Sequence, residues 1–258
     1  MLFIVACGEQ SSQVVSRVIW YDGEMRNIER SEERGKSDLG WLYSRFSYSF
    51  AEYWNPKRMG FGRLRVVNDD EVAPENGFPL HHHEDMEIVT VMLGGILTHE
   101  DSMGNKKTIS AGEVQVMSAG TGVNHSEWNH EKIDTARLFQ IWIMPNEKRL
   151  TPRYDQKKFE EGEMMNIFTT LVSGQKKEGT LFVHQDATLA RARIEEGKSA
   201  EYLLQNPTHV VVLFVIEGEV VVGNDVLHER DAMEITGEAS FVVTAKASAD
   251  VLVIEVPL

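Results

Sequence analysis

The chain has 258 residues, 42% of them hydrophobic and 26% charged. That excludes a disordered or fibrous protein and suits one large β domain or two of ordinary size. Lys and Arg number 26 against 40 Asp and Glu, a formal net charge of −14, which argues against direct nucleic-acid binding and against an anionic membrane surface.

In chain order, residues 1–24 read as an N-terminal extension. Met1-Leu2-Phe3-Ile4-Val5-Ala6-Cys7 is apolar, but it is too short for a secretion signal and no Lys or Arg precedes it. The expectation is an unstructured extension, or a start assigned too far upstream with Met25 as the true start. Cys7 is the single cysteine, so an intramolecular disulfide and zinc sites of the cysteine-pair type are excluded, and a reducing cytoplasm fits. No apolar run reaches the roughly 18 residues of a membrane span.

From there the sequence alternates. Phe46, Tyr48 and Phe50 alternate with Ser47 and Ser49, a pattern that predicts core packing. Residues 63–67, 87–93, 113–117 and 138–144 read as strands, the last stopped by Pro145. Asp101-Ser102-Met103-Gly104-Asn105 reads as a hairpin turn. Residues 145–158 are polar, charged and carry Pro145 and Pro152, which places a domain boundary between 25–148 and 149–258. The second half repeats the pattern, with strands at 210–216, 219–222, 232–235, 241–243 and 251–256. Helix is minor, at residues 55–60 or near Leu203. Short strands at close spacing predict an all-β sandwich or barrel. The two halves form a loose internal repeat: residues 91–96 resemble 214–220, and 111–116 resemble 230–235.

The chemistry concentrates in two short segments. In Gly77-Phe78-Pro79-Leu80-His81-His82-His83-Glu84-Asp85-Met86-Glu87, residues two apart on an extended chain share a side. His81 and His83 therefore face one way and His82 the other. In Gly120-Thr121-Gly122-Val123-Asn124-His125-Ser126-Glu127, His125 and Glu127 share a side by the same rule. Neutral imidazoles with a carboxylate suit a divalent first-row metal, and four protein ligands leave coordination positions open for chemistry. Glu87 has the parity of His81 and His83, which makes it an alternative ligand or a carboxylate that orients a ligand histidine. His99, just before the turn, reads as structural, and His184 and His209 as surface or core residues. No Gly-rich phosphate loop and no Gly-x-Ser-x-Gly nucleophile motif occurs, so no organic cofactor site is expected.

His81-x-His83-x-x-x-Glu87 followed by Gly94 resembles the first motif of the cupin superfamily. The second motif matches less well: Gly112, His125 and Asn129 are present, but Ser118 replaces the usual proline and the histidine lies two residues late. Those departures are similar to the pirin family. Its other markers here are Gly40-Trp41-Leu42, Met59-Gly60-Phe61, Arg65-Val66-Val67-Asn68-Asp69-Asp70, His99-Glu100-Asp101-Ser102-Met103-Gly104-Asn105 and Gln140-Ile141-Trp142-Ile143-Met144-Pro145. The resemblance covers nearly all of the chain from Met25.

The resemblance implies a bicupin, two antiparallel double-stranded β-helix (jelly-roll) barrels set face to face. It implies one divalent metal ion per chain, usually iron, in the N-terminal barrel. Fe(II) is expected, with Mn, Co, Ni, Cu or Zn as alternatives. The implied ligands are His81, His83, His125 and Glu127, where a generic cupin would use Glu87. Leu204 and Asn206 fall where a second His-x-His would lie, so no metal is expected in the C-terminal barrel. Some bacterial pirins resemble quercetin 2,3-dioxygenases, which implies a flavonol and O2 as partners and Glu127 as the catalytic base. Animal pirins are linked to transcription-factor partners, so the alternative is a metal-bearing regulatory module with a protein partner.

Overall fold

The computed structural model describes residues 25–258. The expectations about Cys7, the extension and the start of translation lie outside the described residues. In the first half the strands are β1 (Met25–Glu29), β2 (Gly35–Asp38), β3 (Leu42–Phe46), β4 (Leu64–Val72), β5 (Asn76–His83), β6 (Glu87–Gly94), β7 (Ile96–Asp101), β8 (Lys106–Ser110), β9 (Glu113–Ser118), β10 (Val123–Asn129) and β11 (Ala136–Ile143). The second half adds β12 (Arg153–Lys158), β13 (Thr169–Ser173), β14 (Leu181–Phe182), β15 (Thr188–Ile194), β16 (Ser199–Leu203), β17 (His209–Val222), β18 (Asp225–His228), β19 (Ala232–Thr236) and β20 (Ser240–Pro257). Among the described residues, no helix is long and apolar enough to cross a membrane.

The expected helices are absent at both places. Residues 55–60 form turns closed by Ser49, whose hydroxyl donates to the Asn55 carbonyl and accepts from its N–H, both at 2.8 Å. So short a segment cannot repay helix nucleation. Leu203 ends β16, where Ala200 and Tyr202 point inward by strand alternation. Among the described residues, the one helical element is a single 3₁₀ turn, Glu161–Met164.

The strands build two barrels. A seven-stranded sheet in the order β12-β9-β6-β11-β4-β3-β2 faces a four-stranded sheet, β5-β10-β7-β8, and together they close the first barrel. A single sheet, β1-β19-β17-β20-β15-β13-β14, with β16 on β20 and β18 on β17, forms the second. β17 and β20 are long enough to serve both faces of that barrel because their pairing shifts register between Val215 and Val220. The loose sequence repeat matches the topology: β9-β6-β11-β4 in one barrel corresponds to β19-β17-β20-β15 in the other.

Two strands cross the boundary expected between 148 and 149. β12 pairs with β9 along its whole length, Arg153 opposite Ser118 through Lys158 opposite Glu113. β1 pairs with β19 from Met25 opposite Thr236 to Glu29 opposite Ala232. Each half thus donates the outer strand of the other half's sheet. The largest buried apolar cluster lies between the barrels and draws on both, with Val89, Phe139 and Ile141 from the first and Val212, Phe214 and Ile254 from the second.

The interior of the first barrel is stratified, and strand parity shows why. On β6, Ile88, Thr90 and Met92 point inward; on β11, Leu138, Gln140 and Trp142 do so. Met92 and Leu138 join an apolar floor with Val72, Leu97 and Ile109. Ile88 packs with Met117 and Val123 at the other end. Between these apolar layers lies a buried polar one, including Thr90, Gln115, His125, Glu127 and Gln140. The second barrel's interior is built mainly from apolar residues such as Ala192, Leu213, Val243 and Val253.

Candidate metal centre

Two adjacent strands of the small sheet carry the expected residues. β10 runs antiparallel to β5 with His125 opposite His81 and Val123 opposite His83. The register slips between His125 and Glu127, so that Glu127 comes opposite Phe78. A side chain at Gly77 would collide with the Glu127 carbonyl, so this close approach of the strands needs glycine. His82 faces outward, exposed, with Nδ1 3.2 Å from Asn124 Oδ1.

The inward-facing rings converge. Centroid separations are 4.7 Å for His81–His83, 4.3 Å for His81–His125 and 5.0 Å for His83–His125. One ligand nitrogen from each of the three lies within 4.8 Å of the others. A second group shares His125: ligand atoms of His99, His125 and Glu127 also lie within 4.8 Å of one another.

The protonation chemistry favours free lone pairs. Burial, with the neighbouring His81 and His82, pushes His83 down to about 3. Burial, with His81, His83 and His99, holds His125 far below the usual imidazole value. Both are neutral at physiological pH. The Pro79 carbonyl lies 2.8 Å from His81 Nδ1 and can only accept, so Nδ1 carries the proton and Nε2 is bare. His125 Nε2 is buried and has no hydrogen-bond partner. A bare imidazole nitrogen left alone among two others is costly unless a cation takes its lone pair. The donor set therefore fits a divalent first-row ion.

Glu127 is 1% exposed, and both its oxygens are held. Oε1 accepts from Gln115 Nε2 at 3.1 Å and Oε2 from Gln140 Nε2 at 2.9 Å. Thr90 closes a ring, donating to Gln140 Oε1 at 3.1 Å and accepting from Gln115 Nε2 at 3.3 Å. The carboxylate cannot rotate freely, yet it keeps acceptor capacity beyond these two bonds. Asp70 lies on the same interior, and burial pushes it up to about 7, against the Ser44 hydroxyl and with help from Asp69 and Glu127. Trp142 stands over His83, edge to face at 4.8 Å, and Phe50 stands over Trp142 at 5.3 Å.

The sequence pattern did not single out Gln115, Gln140, Trp142 or Tyr154 for this site. The available signal was polarity: Gln115 sits between Val114 and Val116, and Gln140 between Phe139 and Ile141. Such a polar residue inside an apolar strand needs a buried partner.

Glu87 does not join the histidines. It is 1% exposed, accepting from Ser118 Oγ at 2.8 Å and from the His184 backbone N–H at 3.1 Å. Its parity with His81 and His83 is broken by the turn at 84–86, where Asp85 takes φ 47°, and β6 belongs to the other sheet. Its hydrogen bonds tie it to Ser118 and, through the His184 N–H, to the second half of the chain. His209 is also structural, its Nδ1 2.9 Å from Glu255 Oε1.

Burial pushes Glu87 up to about 7, against the His184 N–H, the Ser118 hydroxyl and Arg153. The native state therefore holds a proton that the unfolded chain releases near pH 4.5, the group's ordinary value. Its stabilising contribution is complete below pH 4.5 and is lost as pH rises through about 7, a change of roughly 3 kcal/mol. Chemical unfolding of the metal-free protein across this range should show that slope added to the one from Asp70, and Glu87→Gln should remove Glu87's share while leaving nickel(II) binding unchanged. A variant that lost the metal would restore Glu87 to the centre.

Comparison with known proteins agrees with the fold. The pirin family model matches residues 27–143, and a model described as the quercetinase C-terminal cupin domain matches residues 170–256. A quercetin 2,3-dioxygenase of Escherichia coli is 38% identical over 230 residues, 89% of this chain and 98% of that protein. The chain belongs to the pirin family. A pirin-like protein of Caulobacter vibrioides is 40% identical over 225 residues, 87% of this pirin and 96% of the relative. The crystal structure of the E. coli pirin YhhW in complex with nickel(II) superposes with a TM-score of 0.85 at 37% identity, covering 90% of this chain and 99% of that one. The architecture is the bicupin expected of a pirin.

Proposed function

We propose that this pirin is a metal-dependent dioxygenase of the cytoplasm that opens flavonols such as quercetin with O2 and releases CO. The observation that carries the reading is the convergence of three imidazoles, among them His125 with its unpartnered Nε2, beside a carboxylate fixed by two amides. His81, His83, His125 and Glu127 would hold the ion, Fe(II) by family resemblance; the relative with 37% identity was crystallised with nickel(II). When bound, such an ion supplies Lewis acidity that lowers the pKa of a substrate hydroxyl, together with access to the redox chemistry of O2.

The protein's own residues do the rest. Glu127 accepts the proton of the flavonol 3-hydroxyl, and Gln115 and Gln140 keep the carboxylate aimed while it does so. Trp142 and Phe50 offer aromatic surface at the His83 side, suited to a planar substrate. In the overall reaction the C2–C3 and C3–C4 bonds of the central ring break. C3 leaves as CO with its own oxygen. The two atoms of O2 end on the former C2 and C4, as an ester carbonyl and a carboxyl group. The substrate supplies all the electrons, so no external reductant is needed.

The test is CO release from quercetin by protein stripped of metal and reloaded separately with each divalent ion, with Glu127→Ala as control. CO from the wild type alone is expected. One bound metal per chain without CO under any loading would overturn the dioxygenase reading and favour a regulatory module with a protein partner. Glu127→Gln should lower turnover roughly 10²–10⁴-fold, the range of a lost general base, while metal content falls far less. Parallel loss of metal and turnover would show Glu127 to be a ligand only.

A further inference from the structure

We propose that His99, seated on Asp101, is a positioning residue that fixes which nitrogen of His125 is free to bind a cation; the inference rests on the metal-site reading above. His99 is fully buried, with Nε2 3.0 Å from Asp101 Oδ2 and Nδ1 3.3 Å from His125 Nδ1. The Asp101 carboxylate can only accept, so His99 Nε2 carries a proton. In the neutral ring, Nδ1 is then an acceptor. His125 must donate its Nδ1–H to it, and His125 Nε2 is left as a bare lone pair. The opposite arrangement would put the proton on His125 Nε2, where no acceptor exists. A buried N–H without a partner is the more expensive outcome.

The relay is rigid at its far end. Asp101 Oδ1 accepts from the backbone N–H groups of Met103 at 2.9 Å and Asn105 at 3.0 Å, and Oδ2 accepts from Asn105 Nδ2 at 2.9 Å. The hairpin turn expected from the sequence thus also holds the carboxylate that orders the histidines. Tyr154, on the exchanged strand β12, stacks on His99 at 4.5 Å with 28° between the rings, and its hydroxyl donates to Gln115 Oε1 at 3.0 Å. With both nitrogens engaged, His99 has no lone pair for a metal, although it falls within the second cluster of ligand atoms. Acting on His125 through its outer nitrogen is how a partner outside the coordination sphere orients a ligand and tunes its basicity.

The experiment has two parts. Two-bond proton–nitrogen NMR of the metal-free wild type reads the tautomers directly. His99 should carry its proton on Nε2 and His125 on Nδ1; a His125 proton on Nε2 overturns the proposal whether or not the protein binds metal. Nickel(II) is then titrated against a chromophoric chelator into wild type, His99→Phe and His99→Gln. His99→Phe keeps a ring for Tyr154 but no acceptor, and should weaken nickel binding about 10- to 100-fold, the usual cost of losing an outer partner. It should also shift the visible spectrum of the cobalt(II)-loaded protein. His99→Gln, whose amide oxygen can accept from His125, should recover most of the affinity. Unchanged affinity and spectrum in His99→Phe, or equal losses in both variants with lowered melting temperatures, would overturn the positioning role. A wild type that binds neither nickel nor cobalt would instead overturn the metal-site reading.

Discussion

His125→Ala should abolish metal retention. His125 alone belongs to both groups of converging ligand atoms, and it alone links the His81–His83 pair on β5 to Glu127 on β10. Without it, two imidazoles remain on one strand, and the carboxylate has no neighbouring ligand nitrogen but that of His99, which is engaged elsewhere. Nickel(II) affinity should fall by more than the roughly 100-fold upper range for outer partners, since an inner ligand is lost. The folded state should survive. Deleting the ring leaves a cavity, but it also removes a buried nitrogen that has no partner in the metal-free protein, and the two effects oppose each other. His82→Ala is the matched control: the same motif, one residue from two ligands, but exposed and paired with Asn124. Nickel titration and thermal unfolding of the metal-free proteins decide the matter. Equal affinity in wild type and His125→Ala would place the ion elsewhere.

The contrast between His82 and His83 shows what was legible in the sequence. Side-chain period two is a local rule, so it placed His81 with His83 and His125 with Glu127 without knowledge of the rest of the fold. The same rule failed for Glu87, because period two holds only within one continuous strand. Asp85 in the left-handed region ends β5, and β6 starts afresh in another sheet. His99 was unreadable for a different reason. Its roles depend on β7 pairing with β10, which sets His99 opposite Glu127, and on Tyr154 arriving from β12. Both are long-range events. The strand exchange was hidden likewise: 153–158 follows a polar, proline-bearing stretch that looks like a linker, yet pairs with β9. The choice of Glu127 over Glu87 came from family resemblance, because parity alone allowed either carboxylate.

Phe139→Ala and Phe214→Ala should each cost about 3–5 kcal/mol, the usual range for deleting a buried aromatic ring. Phe139 lies on β11 of the first barrel and Phe214 on β17 of the second; both are fully buried, with ring centroids 5.3 Å apart. Arg230 lies over Phe139 and Arg34 over Phe214, and both arginines reach Asp69, so each ring also supports the charge cluster between the barrels. For a chain of this size the loss corresponds to a melting temperature lower by roughly 10 °C. The stronger test is the double variant. Rings in contact share a cavity once both are removed, so the combined loss should fall short of the sum by about 0.5–3 kcal/mol. The exchange of β1 and β12 predicts, in addition, that every variant unfolds in one transition. Neither sheet keeps its outer strand if the other half melts, and the apolar cluster between them is built from both. Calorimetry showing two separated transitions, with Phe214→Ala lowering only one, would mean that the barrels fold independently and that the shared core does not couple them. A single transition displaced by both substitutions would tie the rigidity of the metal-bearing barrel to the barrel that carries no histidine cluster.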